Sequence, residues 1–442
     1  MSKPKIFLGE KWDPKTGRVG GELFYELESH VTLIAPTSAG KGTMLEIPNL
    51  LTGLRDISVL CIDPSGQNAA VCAQARRDMH HDTVILNPFN LHKEVYPDLE
   101  DVGYNPLLTL TPGDPKFCED AMSLADACIS LEGDPQPHFP NAARGLMTWL
   151  IMYMRIQYGT SGTLGHVRDA LTGDLEQTAG EAVALGHPNI ANLAYKYTKL
   201  TDSRELQSVI STAETQTRWL ESVEMRRSLS KNGVGDFARL KDKLTSLFLI
   251  LPAGIELENH AAWLRLMVTC ALNALYRRGT KKGFFCLLLL SEFAALGKLA
   301  PIRAAFGQAR KYGIRLWPVL QDIGQLFELY GHNGATSFIA NSGCVIGLTP
   351  NDPETAMWMS NFSSKHYVMS PSYSEDAQGR SSASYSAKEE PLWSPDEIRE
   401  LAEKHGLVWT RGHASPQPVV LDSWYENPKW KHIGRKDPFH SD

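Results

Sequence analysis

One short stretch narrows the folds open to this chain more than any other: Ala35-Pro-Thr-Ser-Ala-Gly-Lys41-Gly42-Thr43, set directly after the β-branched run HVTLIA at residues 30–35. A strand that feeds a glycine-containing turn and then a helix, here expected from Met44 onward, puts backbone N–H groups and a helix N-terminus around one point. That arrangement cradles an anion, and a lysine at its end can reach β- and γ-phosphates. The candidate phosphate-binding residues are Pro36, Thr37, Ser38, Ala39, Gly40, Lys41, Gly42 and Thr43. Two positions depart from G-x-x-x-x-G-K-[ST]: Ala35 stands for the first glycine, and Gly42 stands where a hydroxyl would meet Mg²⁺. Thr43 is the candidate metal ligand, with Ser38 as the alternative. A glycine-rich turn with a solvent-exposed lysine would use the same residue types.

The rest of the chain supplies a setting for such a loop. Residues 57–62 (ISVLCI) form a second apolar strand, ending at Asp63-Pro-Ser-Gly66, and residues 83–86 form a third. From about 111 to 235 the period changes: Leu146, Met147, Leu150, Ile151 and Met154 recur at helical spacing. Strand patterns return at 247–251, 284–290, 315–320 and 338–348. Strands alternating with helices predict an α/β fold with a parallel sheet, built from two separated pieces of chain around an inserted all-α domain. The expected boundaries are 1–112 and 236–442 for the two parts of a nucleotide-binding domain and 113–235 for the helical one. Residues 1–30 read as a lead-in. The serine-rich residues 363–390 read as a mobile loop or exposed hairpin, followed by a helix start with Ser394 as N-cap, Pro395 at its first position and Glu397 three residues after the cap.

Composition bounds the partners and the compartment. With 43% apolar and 21% charged residues, the 442-residue chain is of ordinary globular type and long enough for two or three domains. A net charge of −6 excludes a global positive field, so any DNA contact is local. Candidate patches are Arg226–Arg227–Lys231, Arg239–Lys241–Lys243 and Arg277–Arg278–Lys281–Lys282. Seven cysteines without a C-x-x-C pair fit a reducing cytosol and argue against zinc or disulfide frameworks. No stretch approaches the ~20 apolar residues of a membrane span, and the N-terminus lacks a signal core, so a cytoplasmic chain is expected.

A second acidic signal follows FFCLLLL at residues 284–290: Ser291-Glu292-Phe293 delivers a carboxylate to a strand end, where it could polarise a water or simply face solvent. Together these pieces resemble the TraG/TraD-type coupling proteins of type IV secretion, relatives of the FtsK and HerA motors. The resemblance runs through APTSAGKG and IPNLL, the turn at 62–66, Tyr104-Asn-Pro-Leu107, SEFAALGKLAPI, RKYGIRLWPVLQDIGQLFELYG, residues 351–356 (NDPETA) and PLWSPDEIREL, in order and over nearly the whole chain.

The resemblance implies a RecA-like P-loop NTPase core that uses ATP and Mg²⁺, assembles as a homo-hexamer and carries a helical domain that receives substrate. It makes Lys41 the phosphate-loop lysine, Glu292 the catalytic carboxylate, Gln321 a sensor of γ-phosphate or water, and Arg310 a finger reaching a neighbouring subunit. The family usually has Asp before the catalytic Glu; here that residue is Ser291, and Asp63 is the carboxylate expected to compensate in part. The family's transmembrane hairpin has no counterpart, so docking at the inner membrane is expected to be peripheral and through partners. The function implied is an ATP-dependent coupling protein that pumps DNA, or a relaxase–DNA complex, to a type IV secretion or conjugation channel. A nucleotide-binding adaptor of the same fold with weak or no hydrolysis is the alternative, and a small-molecule kinase fits less well because it needs neither Arg310 nor the helical insertion.

Overall fold

The computed structural model describes residues 4–131, 137–199, 203–281, 283–375 and 381–440. Its strands in chain order are β1 (Lys5–Trp12), β2 (Val19–Glu26), β3 (His30–Ile34), β4 (Ser58–Asp63), β5 (Asp82–Leu86), β6 (Thr245–Ile250) and β7 (Cys286–Leu290). They continue with β8 (Ile314–Leu320), β9 (Ser342–Leu348), β10 (Lys365–Glu375), β11 (Ser381–Pro391), β12 (His405–Thr410) and β13 (Gln417–Val420). The chain divides into two compact units, residues 54–316 with 432–442, and residues 2–53 with 317–431.

In the unit holding residues 2–53, the strands follow the order β2-β1-β13-β12-β9-β3-β8. β3 is parallel to β8 and β9, whereas β12, β13, β1 and β2 continue antiparallel. Every residue of β3 is buried, as expected of a strand flanked on both edges and covered on both faces; its polar Thr32 is satisfied within the core by Ser342, Oγ1 to Oγ at 2.7 Å. Parallel β8 and β9 need a crossover, supplied by the helix Ile323–Asn341, which bends where Gly331 adopts φ 68° and ψ 170°. The apolar stretch expected to be strand from 338 begins as helix instead, and β9 starts only at Ser342. A buried helix end and a buried strand are both apolar all round, so periodicity does not separate them.

Residues 1–30, expected to be a lead-in, contain the β1–β2 hairpin. Its register shifts twice, between Phe7 and Gly9 and between Glu10 and Trp12, and these bulges break the alternation that would have marked it. The serine-rich stretch pairs as the β10–β11 hairpin, with residues 376–380 outside the described residues. Ser394 caps the helix Pro395–Arg399 through a reciprocal capping box with Glu397.

In the other unit the order is β7-β4-β6-β5, all parallel. Between β5 and β6 the described residues form helices and turns without a strand. The helix His138–Gln157 buries Leu146, Met147, Leu150, Ile151 and Met154, the residues whose spacing marked it. Beneath β6 lies a fully buried Arg76. Its Nε donates to Ser246 Oγ at 2.8 Å and its Nη2 to the Leu54 carbonyl at 2.9 Å. Beside it, His81 donates through Nε2 to the Arg55 carbonyl at 2.7 Å, leaving Nδ1 to accept from Arg76 and Ser246.

Burial, reinforced by the Arg76 charge, lowers the His81 pKa to about 4. The folded chain therefore binds fewer protons here than the unfolded chain between about pH 6.5 and about 4, and stability falls as pH drops through that window. Full titration of this group corresponds to roughly 3 kcal/mol. Urea midpoints at pH 7 and pH 5 should show the loss, and His81→Gln should flatten the difference.

Candidate functional site

β3 ends at Ile34, and the next residue, Ala35, donates its N–H to the Leu320 carbonyl at 2.9 Å. Ala35 is fully buried and has no left-handed backbone, so alanine stands in the place of the first glycine without strain. The left-handed positions fall inside the loop, at Ser38 (φ 66°) and Gly40 (φ 73°). A Cβ at Gly40 would come within 2.5 Å of Met44 Cε, the free end of a flexible side chain that can shift, so it is chiefly the φ of 73° that favours glycine there. The first helical bond is Met44 N–H to the Gly40 carbonyl at 2.8 Å, and Lys41, at the N-cap, offers no side-chain cap. Gly42 and Thr43 lie ahead of any helical acceptor. An uncapped helix start joined to a loop with left-handed kinks has the donors and dipole that an anion needs, and these residues fit a phosphate group.

The hydroxyls around this cradle are tied in different ways. Thr43 Oγ1 donates to the Gly40 carbonyl at 3.2 Å, and Thr37 Oγ1 donates to Gln321 Oε1 at 3.3 Å. Gln321 follows β8 directly, and its N–H donates to Gln325 Oε1 at 2.9 Å. Asp322 caps the same helix by accepting the Gln325 N–H at 2.8 Å. The structure thus brings the loop of residues 35–43 and Gln321 together. Gln325 was not singled out from sequence, although a second glutamine four residues after Gln321 is the visible signal.

The helix behind the loop is wound unusually wide, with π-helical stretches at Gly42–Glu46 and Asn49–Gly53 and the Ile47 N–H bonded to the Gly42 carbonyl. The next donor in that pattern would be residue 48, which is proline and has none. The Thr43 carbonyl is taken instead by the Trp424 N–H at 2.9 Å. Asn49, fully buried, accepts the Phe7 N–H at 2.7 Å and donates to the Phe7 carbonyl at 2.9 Å, tying the helix to β1. Trp424 was missed because nothing in its local sequence reports a contact with a distant loop. π-Turns of this kind are frequent at functional sites.

The remaining candidates belong to the other unit. The β4–β7 register pairs Ile62 with Leu290, so Asp63 and Ser291 follow at neighbouring strand ends. Asp63 is buried and accepts the Ala69 N–H at 2.8 Å, which caps the helix Gln67–Asp78 where the N-cap residue, Gly66, has no side chain to do so. The carboxylate expected to stand in for the missing aspartate is therefore engaged in holding a helix. Glu292 sits in the left-handed region at φ 54°, half-buried, and turns the chain into the short helix Phe293–Leu296. A non-glycine residue held there stores roughly 1 kcal/mol or more, the kind of strain that gathers at functional positions. Arg310 is exposed in the turn Ala309–Tyr312.

The basic patches proposed for DNA are largely spoken for. Arg226 pairs with Asp169 at 2.8 Å, Arg227 donates to the Pro88 carbonyl at 2.6 Å, and Lys231 to the Asp101 carbonyl at 3.0 Å. Arg239 and Lys243 share Asp82. Lys241 is buried, donating to the Leu275 carbonyl at 2.5 Å and the Gly279 carbonyl at 2.6 Å, and burial lowers its pKa. Arg277 pairs with Asp120, Arg278 pairs with Asp242 at 2.7 Å, and Lys281 reaches the Lys241 carbonyl at 3.1 Å. Lys282 lies outside the described residues.

Among the described residues no helix is long and apolar enough to cross a membrane. Residues 2–439 match the family model described as Type IV secretory system Conjugative DNA transfer. The chain is 26% identical over 396 residues to protein VirD4 of Rhizobium rhizogenes, covering 87% of this chain and 57% of that protein. It is 27% identical over 444 residues to a probable conjugal transfer protein TraG of Sinorhizobium fredii, covering 96% and 67%. The chain thus spans little more than half the length of VirD4. Among solved structures it resembles the bacterial conjugative coupling protein TrwBdeltaN70 in complex with sulphate, with TM-score 0.68, 18% identity and coverage of 89% of this chain and 86% of that one. The plasmid coupling protein TrwB in complex with ADP and Mg²⁺ gives TM-score 0.63 at 18% identity, covering 90% and 85%. The fold is accordingly that of a RecA-like P-loop NTPase, and the chain belongs to the type IV secretory system family of conjugative DNA transfer proteins.

Proposed function

We propose that this chain is an ATP-dependent coupling protein that recruits DNA, or a relaxase–DNA complex, and drives it into a type IV secretion or conjugation channel. The observation that carries the reading is the uncapped helix start behind Ser38 and Gly40, with Gln321 hydrogen-bonded to the loop through Thr37. Backbone donors there would hold phosphate oxygens, Lys41 would neutralise the β- and γ-phosphates, and Thr43 is the metal ligand we favour. MgATP would supply the phosphoanhydride bond whose hydrolysis powers transfer. Glu292 would draw the proton from the attacking water, Gln321 would orient that water, and Arg310 would act on the site of an adjacent subunit in a homo-hexamer. We place the protein in the cytoplasm, docked peripherally at the inner membrane through channel components, and keep the domain boundaries 1–112, 113–235 and 236–442 as part of the reading.

A second reading, a nucleotide-binding adaptor with weak or no hydrolysis, is favoured by Ser291 and by Asp63 being committed to a helix cap. Steady-state ATPase of the purified chain with Mg²⁺, with and without single- and double-stranded DNA, separates the two. DNA-stimulated turnover is expected. Lys41→Ala should lower nucleotide affinity by about 10- to 100-fold, the worth of a charge-assisted hydrogen bond, and abolish that turnover. Nucleotide binding without any turnover in the wild-type chain would establish the adaptor instead.

A further inference from the structure

We infer that a surface pocket in the unit carrying the phosphate loop is a docking site for a partner peptide that presents a bulky aromatic side chain beside carboxylates. The pocket has a volume of about 620 Å³ and lies between the helices Ile323–Asn341 and Pro353–Phe362, the start of β9 and the end of β12. It is separate from the phosphate loop, which follows Ile34. Ile34 pairs with Gly347 near the end of β9, whereas Ser342 and Gly343, which line the pocket, open that strand. The inference therefore does not rest on the nucleotide reading.

Its walls are aromatic. Trp358 and Phe362 stack with centroids 5.1 Å apart and planes 13° apart, and Phe362 meets Trp409 at 5.7 Å. Trp409 is buried in the floor, while Phe362 is 39% exposed at the rim beside Thr336, Arg411 and His413. Concave apolar surface left open in this way marks a binding site more often than a random patch does.

The polar groups define the occupant further. Among the described residues that line the pocket there is no Asp or Glu, whereas Arg411, His332 and His413 all do. Among the described residues the Arg411 guanidinium donates to the Ala340 carbonyl at a long 3.4 Å and forms no ion pair with a carboxylate, so it can turn to one on a partner. Apolar volume and the Arg411 charge, with no carboxylate among the described lining residues, together select an apolar anchor with acidic neighbours. The volume suits one large side chain and its flanking atoms, and the exposed rim lets a chain enter and leave, which favours a peptide over an enclosed metabolite.

The test is fluorescence polarisation on the full chain without nucleotide, using three fluorescein-labelled peptides: Asp-Trp-Phe-Glu, the charge-swapped Lys-Trp-Phe-Lys, and Asp-Ser-Gly-Glu without the anchor. The first is expected to bind, the second at least tenfold more weakly, and the third not at all. Arg411→Glu should weaken the first at least tenfold, and Thr336→Trp, which fills the mouth from an exposed position, should abolish its binding, both with an unchanged thermal melt. Equal binding of the acidic and basic peptides to the wild-type chain would overturn the proposal without recourse to any variant. So would unaltered binding in both variants, or binding of the aryl anion anilinonaphthalene sulfonate, lost in Thr336→Trp, with no peptide binding at all.

Discussion

Glu292→Gln is expected to lower steady-state ATP turnover by ~10²–10⁴-fold, the usual contribution of a general base, while nucleotide affinity stays within about threefold. Glutamine has the same shape and the same tolerance of the left-handed backbone at this position, so the turn into Phe293–Leu296 should survive and only the negative charge is lost. On the proposed reading phosphate is held by the loop of residues 35–43 and not by Glu292, so affinity and turnover should part company. Fluorescent-nucleotide titration beside an ATPase assay measures both. Glu292→Gly adds a readout that a merely structural glutamate would not give: glycine adopts φ 54° freely, so the variant should be more stable by about 1 kcal/mol and yet inactive. Wild-type turnover in Glu292→Gln would remove Glu292 from the catalytic role.

Arg310→Ala is expected to cost about 10³-fold in turnover with little change in stability. The side chain is exposed at the end of a helical segment, and surface substitutions of that kind usually stay within ~0.5 kcal/mol. A loss so large from a residue so dispensable to the fold would point to chemistry. Whether the arginine serves its own subunit or the next is decided by mixing. Glu292→Gln subunits keep Arg310, and Arg310→Ala subunits keep Glu292. If the finger acts between subunits, combining the two inactive proteins restores part of the turnover, because some interfaces regain both groups. Mixtures as inactive as their components would place Arg310 within its own subunit or outside catalysis.

Much of the fold was legible because its signals are local. β3, β4, β6 and β7 are predominantly apolar and buried throughout, and the helix His138–Gln157 shows its buried stripe in Leu146, Met147, Leu150, Ile151 and Met154. The capping box at Ser394 and Glu397 is equally local, since three residues and one turn of helix define it. The β1–β2 hairpin was hidden by its bulges, and the helix-to-strand junction at Asn341 by an apolar run common to both elements.

The candidate site divides along the same line. Sequence alone marked the candidate phosphate loop, since strand, turn and helix start lie within one short segment and obey short-range sterics. With the family resemblance it also marked Ser291 as standing where the family usually has Asp. Only the tertiary structure decided that Ala35 fits without strain, that Asp63 caps a helix, and that Lys241 is buried between carbonyls instead of lying on a basic face. It alone showed the Thr43 carbonyl, freed by Pro48, being taken by Trp424. The physical reason is that burial and the satisfaction of a polar group depend on which distant segments fold back on it, and neither is written in the residues beside it.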